Sequence, residues 1–103
     1  MIRYKKRYFL AIYLKDFSGY SFSRFINDYF LHEDPLLFFM SKFSILKTQI
    51  NKGKVFFIFK VANKYKYAVI FILSRLGGIV TLKNSGSIKK IKRELEIWSR
   101  LEM

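Results

Sequence analysis

Five consecutive apolar residues, Val55-Phe56-Phe57-Ile58-Phe59, constrain this chain more than any other feature. Side chains of an extended strand point alternately to opposite faces, so this run, read as a strand, is apolar on both. Such a strand must lie inside a sheet and be covered twice. The pattern predicts a central strand with helices on one side and a partner molecule on the other, and its period alone does not exclude a helix. Just before it, Asn51-Lys52-Gly53 separates the strand-like run Lys42 to Ile50 from the run Lys54 to Lys60, and Gly53 can supply the positive φ of a tight hairpin.

The remaining segments fall into place around that hairpin. From Arg3 to Leu14 the residues alternate: Tyr4, Tyr8, Leu10, Ile12 and Leu14 share one face, Arg3, Lys5, Arg7, Phe9, Ala11 and Tyr13 the other, which is a strand with a basic, aromatic second face. A Ser at 21 or 23 can cap a helix carrying Phe22, Phe25, Ile26, Tyr29 and Phe30 at helical spacing. Asp34-Pro35 then reads as N-cap and first residue of a short apolar helix, Leu36 to Met40. Asn63 can cap a helix with Tyr65, Ala68, Val69, Ile72, Leu73 and Leu76 on one side, ending at Gly77-Gly78 in the left-handed cap position. A strand from Ile79 to Lys83 leads through Asn84-Ser85-Gly86-Ser87 into a terminal helix with Ile88, Ile91, Leu95 and Trp98 aligned. The order β, α, short α, β, β, α, β, α predicts an α+β fold: an antiparallel sheet of about four strands with helices packed on it, an RRM-like or ferredoxin-like sandwich in one domain spanning residues 1–103.

Charge decides the function class. Twenty Lys and Arg against seven Asp and Glu give a formal charge of +13, which attracts polyanions and makes nucleic acid or an anionic membrane the natural partner. With no Cys there is neither disulfide nor thiolate metal site, and a reducing compartment is the default. The stretch Phe9 to Leu14 is followed by Lys15-Asp16 rather than a small-residue cleavage site, so the N-terminus reads as a strand and not as a signal peptide. The longest apolar run, Ala68 to Leu73, falls far short of the roughly 20 residues that span a bilayer. A sole histidine, His32, beside Glu33 offers no ligand set, and no carboxylate pair is placed for acid–base work, so no catalytic residue and no protein-bound cofactor is expected.

Two basic clusters are the candidate RNA-binding residues. In the first, Arg3, Lys5 and Arg7 lie with Phe9 and Tyr13, for which stacking on bases and burial under another element are equally open. In the second, Ser85, Gly86 and Ser87 precede Lys89, Lys90, Lys92 and Arg93. Cations at a helix start oppose the macrodipole and cost stability unless an anion offsets them, so amides and cations together point to a phosphate here. A weaker third group is Lys60, Lys64 and Lys66. Leu36, Phe38 and Phe39, with Phe57 on the two-faced strand, are the candidate protein interface, although core is the commoner fate of such runs.

The opening Arg3-Tyr4-Lys5-Lys6-Arg7-Tyr8-Phe9 and the closing Ser85-Gly86-Ser87-Ile88-Lys89 resemble the small basic protein subunit of archaeal and eukaryotic ribonuclease P and ribonuclease MRP, a family with a Ser-Gly-Thr-Ile-basic motif where the last strand turns into a helix. Ser87 stands in place of the Thr and keeps a capping hydroxyl, while the connections around Ser18 and Gly77-Gly78 are shorter than the family's. The resemblance implies an RRM-like sandwich that pairs with a larger, TIM-barrel-like protein subunit and braces the ribonuclease P or MRP RNA. That RNA, with its Mg²⁺, would cleave precursor tRNA at its 5′ leader or process precursor rRNA. It also implies a nuclear or nucleolar location in a eukaryote and a cytoplasmic one in an archaeon. Two alternatives compete: a generic RRM-like or ribosomal RNA-binding protein, and a basic protein lying on an anionic membrane. The hairpin and the paired terminal motifs disfavour the membrane, and an aromatic strand without glycine disfavours sequence-specific reading of single strands.

Overall fold

The computed structural model describes residues 6–17, 19 and 21–101. Strand β1 (Lys6–Tyr13) and strand β3 (Lys54–Ala62) are paired antiparallel at the centre of a four-stranded sheet, with Leu10 opposite Ile58 and Ile12 opposite Phe56. The hairpin partner β2 (Ser44–Asn51) lies outside β3, and β4 (Ile79–Ser85) lies outside β1, so the order is β2-β3-β1-β4 with every neighbour antiparallel. With helices α1 (Phe22–Glu33) and α3 (Lys66–Leu76) as crossovers, this is the ferredoxin-like arrangement expected from the order of elements. The β2–β3 turn puts both Lys52 (φ 54°) and Gly53 (φ 83°) in positive-φ backbone, the requirement of a two-residue type I′ hairpin.

Local chemistry sets the helix ends. The Ser21 hydroxyl accepts the Arg24 amide at 3.3 Å and starts α1. Asp34 Oδ1 accepts the Leu37 amide at 3.0 Å and starts the short helix α2 (Pro35–Ser41), with Pro35 at the position where a missing N–H costs nothing. Asp34→Ala is expected to lower stability by about 1 kcal/mol in urea denaturation; an unchanged midpoint would show that the cap contributes nothing. Asn63, expected to cap α3, does not: residues Asn63–Tyr65 form a 3-10 turn, α3 begins at Lys66 with no side-chain cap, and Asn63 Oδ1 is buried without a partner among the described residues. The turn supplies its own bond instead, from the Lys66 amide to the Asn63 carbonyl. Gly77 ends α3 as expected but with ψ 145° rather than a left-handed ψ, because the chain must extend at once toward β4, and just before that strand the Gly78 carbonyl accepts the Leu14 amide at 2.7 Å.

Both faces of the central strands β1 and β3 are covered by the chain itself. Phe9, Ala11, Tyr13, Phe57 and Phe59 pack under α1 and α3, against Phe22, Ile26, Phe30, Val69, Ile72 and Leu73. Leu10, Ile12, Phe56 and Ile58 pack under the terminal helix α4 (Ile88–Leu101), against Ile91 and Leu95, with Ile88 and Trp98 at the margin. The two-faced strand therefore needs no partner molecule: α4 fills that role. Phe57 is corrected with it, being 0% exposed with its ring 5.0 Å from that of Phe22, and so it belongs to the core and presents no interface. Across the helical layer, the Tyr29 hydroxyl donates to the Ile72 carbonyl at 2.7 Å, tying α1 to α3. Burial first, then the neighbouring Glu33 carboxylate, raises the Tyr29 pKa, while Arg75 acts in the opposite direction.

Candidate nucleic-acid interface

Antiparallel pairing brings the start of β1 and the ends of β3 and β4 to one edge of the fold: Lys6 lies opposite Ala62, and Tyr8 lies opposite both Lys60 and Ser85. Ser44, opposite Lys60, brings the start of β2 and the preceding Lys42 to the same end. Arg7, the Lys60–Lys64 segment and the Ser85-Gly86-Ser87 turn with Lys89 and Lys90, separated by most of the chain, therefore meet at one end of the sheet. Arg3 and Lys5 lie outside the described residues.

Arg7 and the Ser85-Gly86-Ser87 turn are held by specific contacts. Arg7 donates from Nε and Nη2 to Asn84 Oδ1 at 3.1 and 2.6 Å, which lays its side chain across β4 and uses two of its five donors. Asn84 is a positioning residue that sequence reasoning missed, since nothing in a strand-end Asn signals a partner 77 residues away. The Ser85 hydroxyl accepts the Ser87 amide at 3.0 Å, and the Ser87 carbonyl accepts the Ile91 amide at 3.4 Å. That closes the turn and makes Ser87 the last residue before the helix, leaving the first-turn amides of Ile88, Lys89 and Lys90 without intrahelical acceptors. Ile88, Ile91, Leu95 and Trp98 turn toward the sheet, and Lys89, Lys90, Lys92 and Arg93 stand exposed on the opposite side. Lys83 of β4 approaches Glu94 to 4.0 Å.

Between Asp34 and Glu94 the chain contains 13 Lys and Arg and no Asp or Glu. This span supplies β2, β3, α3, β4 and the first turns of α4. Acids that could moderate the field are confined to the loop before α1, to α1 and its end, to the later part of α4, and to Glu102, which lies outside the described residues.

The same structure closes one route of RNA recognition. An open RRM-type sheet stacks bases on its central strands. Here that surface carries Leu10, Ile12, Phe56 and Ile58 beneath α4, while Phe9 and Tyr13, whose fate was open, are buried under the other helices. Of the described members of this cluster, Arg7 reaches solvent and the rings of Phe9 and Tyr13 do not.

The α2 residues divide. Phe38 packs between Phe30 and Phe43, with ring centroids at 5.3 and 6.3 Å, and anchors the helix. Leu36 and Phe39 are 69% and 70% exposed and, with Met40, form an uncharged apolar surface. A seven-residue helix bound on one side must turn its other side outward, which is why one run supplies both core and surface.

Among the described residues there is no group of three or more His, Cys, Asp or Glu that could hold a metal, and His32 is exposed. A surface groove bordered by Phe17, Ser21 and Phe25 also carries Arg24 and Asp28, whose charges approach each other to 3.8 Å. No described helix is long and apolar enough to cross a membrane. No protein-family model and no curated protein matches the chain.

Proposed function

We propose that this chain binds RNA as a non-catalytic protein subunit of a ribonucleoprotein, and that the particle is of the ribonuclease P or MRP type. The observation that carries the RNA reading is the convergence of separate basic segments on one end of the sheet, all but Arg7 drawn from a span free of acids. Such a surface binds phosphates by charge neutralisation and counterion release, with little demand on base sequence.

The finer reading rests on the two motifs that resemble the ribonuclease P and MRP subunit. They stand at opposite ends of the chain, yet the described residues of the first are neighbours of the second, with Tyr8 opposite Ser85 and Arg7 bonded to Asn84. In this role the protein would brace an RNA whose own Mg²⁺ performs the cleavage of precursor tRNA. Arg7, Lys89, Lys90, Lys92 and Arg93 would contact phosphates, and Leu36 and Phe39 would meet the larger TIM-barrel-like subunit. The expected location is the nucleus or nucleolus of a eukaryote or the cytoplasm of an archaeon.

The test is to tag the protein in its own cells, purify what it holds, sequence the bound RNA and identify the accompanying proteins. Recovery of a ribonuclease P or MRP RNA with the TIM-barrel-like subunit is expected. Ribosomes would favour the generic RNA-binding alternative, and lipid without RNA would overturn the proposal altogether.

A further inference from the structure

Resting on the RNA reading above, we propose that the outer face of α3 is a stacking site for unpaired RNA bases, formed by Tyr67 and Phe71. Tyr67 is 77% exposed and Phe71 61%, and at i and i+4 they lie on one side of the helix, separated along its axis by about 6 Å. Large aromatic rings this open, side by side, are a cost to a solitary domain. The central strands offer no alternative platform, because both of their faces are packed.

Charge selects the occupant. From Asn63 to Leu76 the ionisable side chains other than tyrosine are Lys64, Lys66 and Arg75, all basic, and no acid occurs in the segment. The Lys64 ammonium lies 5.2 Å from the Tyr65 ring centroid and the Lys66 ammonium 5.2 Å from that of Tyr67, so rings and cations are interleaved. A nucleotide presents a π-face to the ring and a phosphate to the neighbouring cation. The exposed α2 surface, Leu36, Phe39 and Met40, has no charge from Pro35 to Ser41 and suits an apolar protein partner instead. Duplex bases are already stacked and cannot reach Tyr67 and Phe71, so the strand must be unpaired. Lys64 and Lys66 follow directly on the basic end of the sheet, so a strand leaving that end can continue along α3.

Fluorescence anisotropy on the full chain, with a labelled oligouridylate and with an RNA duplex of equal length at the same salt, tests the site. Tyr67→Ala with Phe71→Ala is expected to weaken oligouridylate binding by about ten-fold or more. Duplex binding should be unchanged, and Tyr67→Phe should retain affinity for both RNAs. Both positions are exposed on a helix, and circular dichroism will show that the variant remains folded. If the wild type binds both RNAs and the double variant behaves identically, or loses both equally, the stacking site is overturned while the RNA reading stands. If the wild type binds neither RNA, both fall. Loss of binding to phosphatidylserine vesicles with RNA affinity intact would assign the aromatics to a membrane and overturn the site.

Discussion

Phe57→Ala is expected to lower stability by about 3–5 kcal/mol, a large part of the roughly 5–15 kcal/mol that holds a domain of this size together. The ring is fully buried in the middle of a central strand and lies 5.0 Å from that of Phe22 and 5.7 Å from that of Phe59. Its removal leaves a cavity with rigid walls, since β1 and β2 flank the strand and α1 lies above it. Urea denaturation should show a much lower midpoint. A variant that kept the wild-type midpoint but lost a protein partner would return Phe57 to the interface. Phe39→Ser provides the contrast: truncation of an exposed ring should change stability by no more than about 0.5 kcal/mol.

The different fates of Phe57 and Phe39 show where the sequence was legible. Alternation in β1, the two-faced β3 run and the Asn51-Lys52-Gly53 turn were sufficient for the sheet, because burial on both sides leaves a strand no other position. Periodicity shows that a face must be covered, not by what. The stripe Ile88, Ile91, Leu95 and Trp98 and the second face of β3 each needed a partner, and they satisfy one another. Short-range rules succeeded where a side chain had one nearby amide to accept, as at Ser21 and Asp34, and failed at Asn63, where the 3-10 turn already held the backbone. The candidate site was legible as charge, because Lys on the polar side of α4 can only face solvent. Its assembly was not, because the Arg7–Asn84 pair and the meeting of Tyr8 with Ser85 exist only through register. Tyr67 and Phe71 escaped for the opposite reason: within a segment rich in apolar residues, nothing local distinguishes an exposed ring from a buried one.

Changing Lys89, Lys90, Lys92 and Arg93 together to Gln should move stability and RNA affinity in opposite directions. Gln has nearly the helix propensity of Lys and Arg, so the backbone of α4 is little affected. Lys89 and Lys90 stand in the first turn, at the positive end of the helix dipole, and their removal should raise stability by about 0.5–1 kcal/mol at low salt. If all four cations contact phosphates, the plot of log affinity against log salt should become shallower by about 3, because each contact contributes roughly 0.7–0.9 to the slope. Near 0.1 M salt this amounts to a loss of about 10²–10³-fold. Thermal denaturation and a salt titration of RNA binding read the two effects independently. Higher stability with unchanged affinity and slope would reduce the cluster to a solvated face. Lower stability would mean that the cations make contacts within the fold that offset their conflict with the dipole. The paired outcome, a more stable protein that releases its RNA, would show that an unfavourable charge arrangement in the free chain is maintained for the anion it binds.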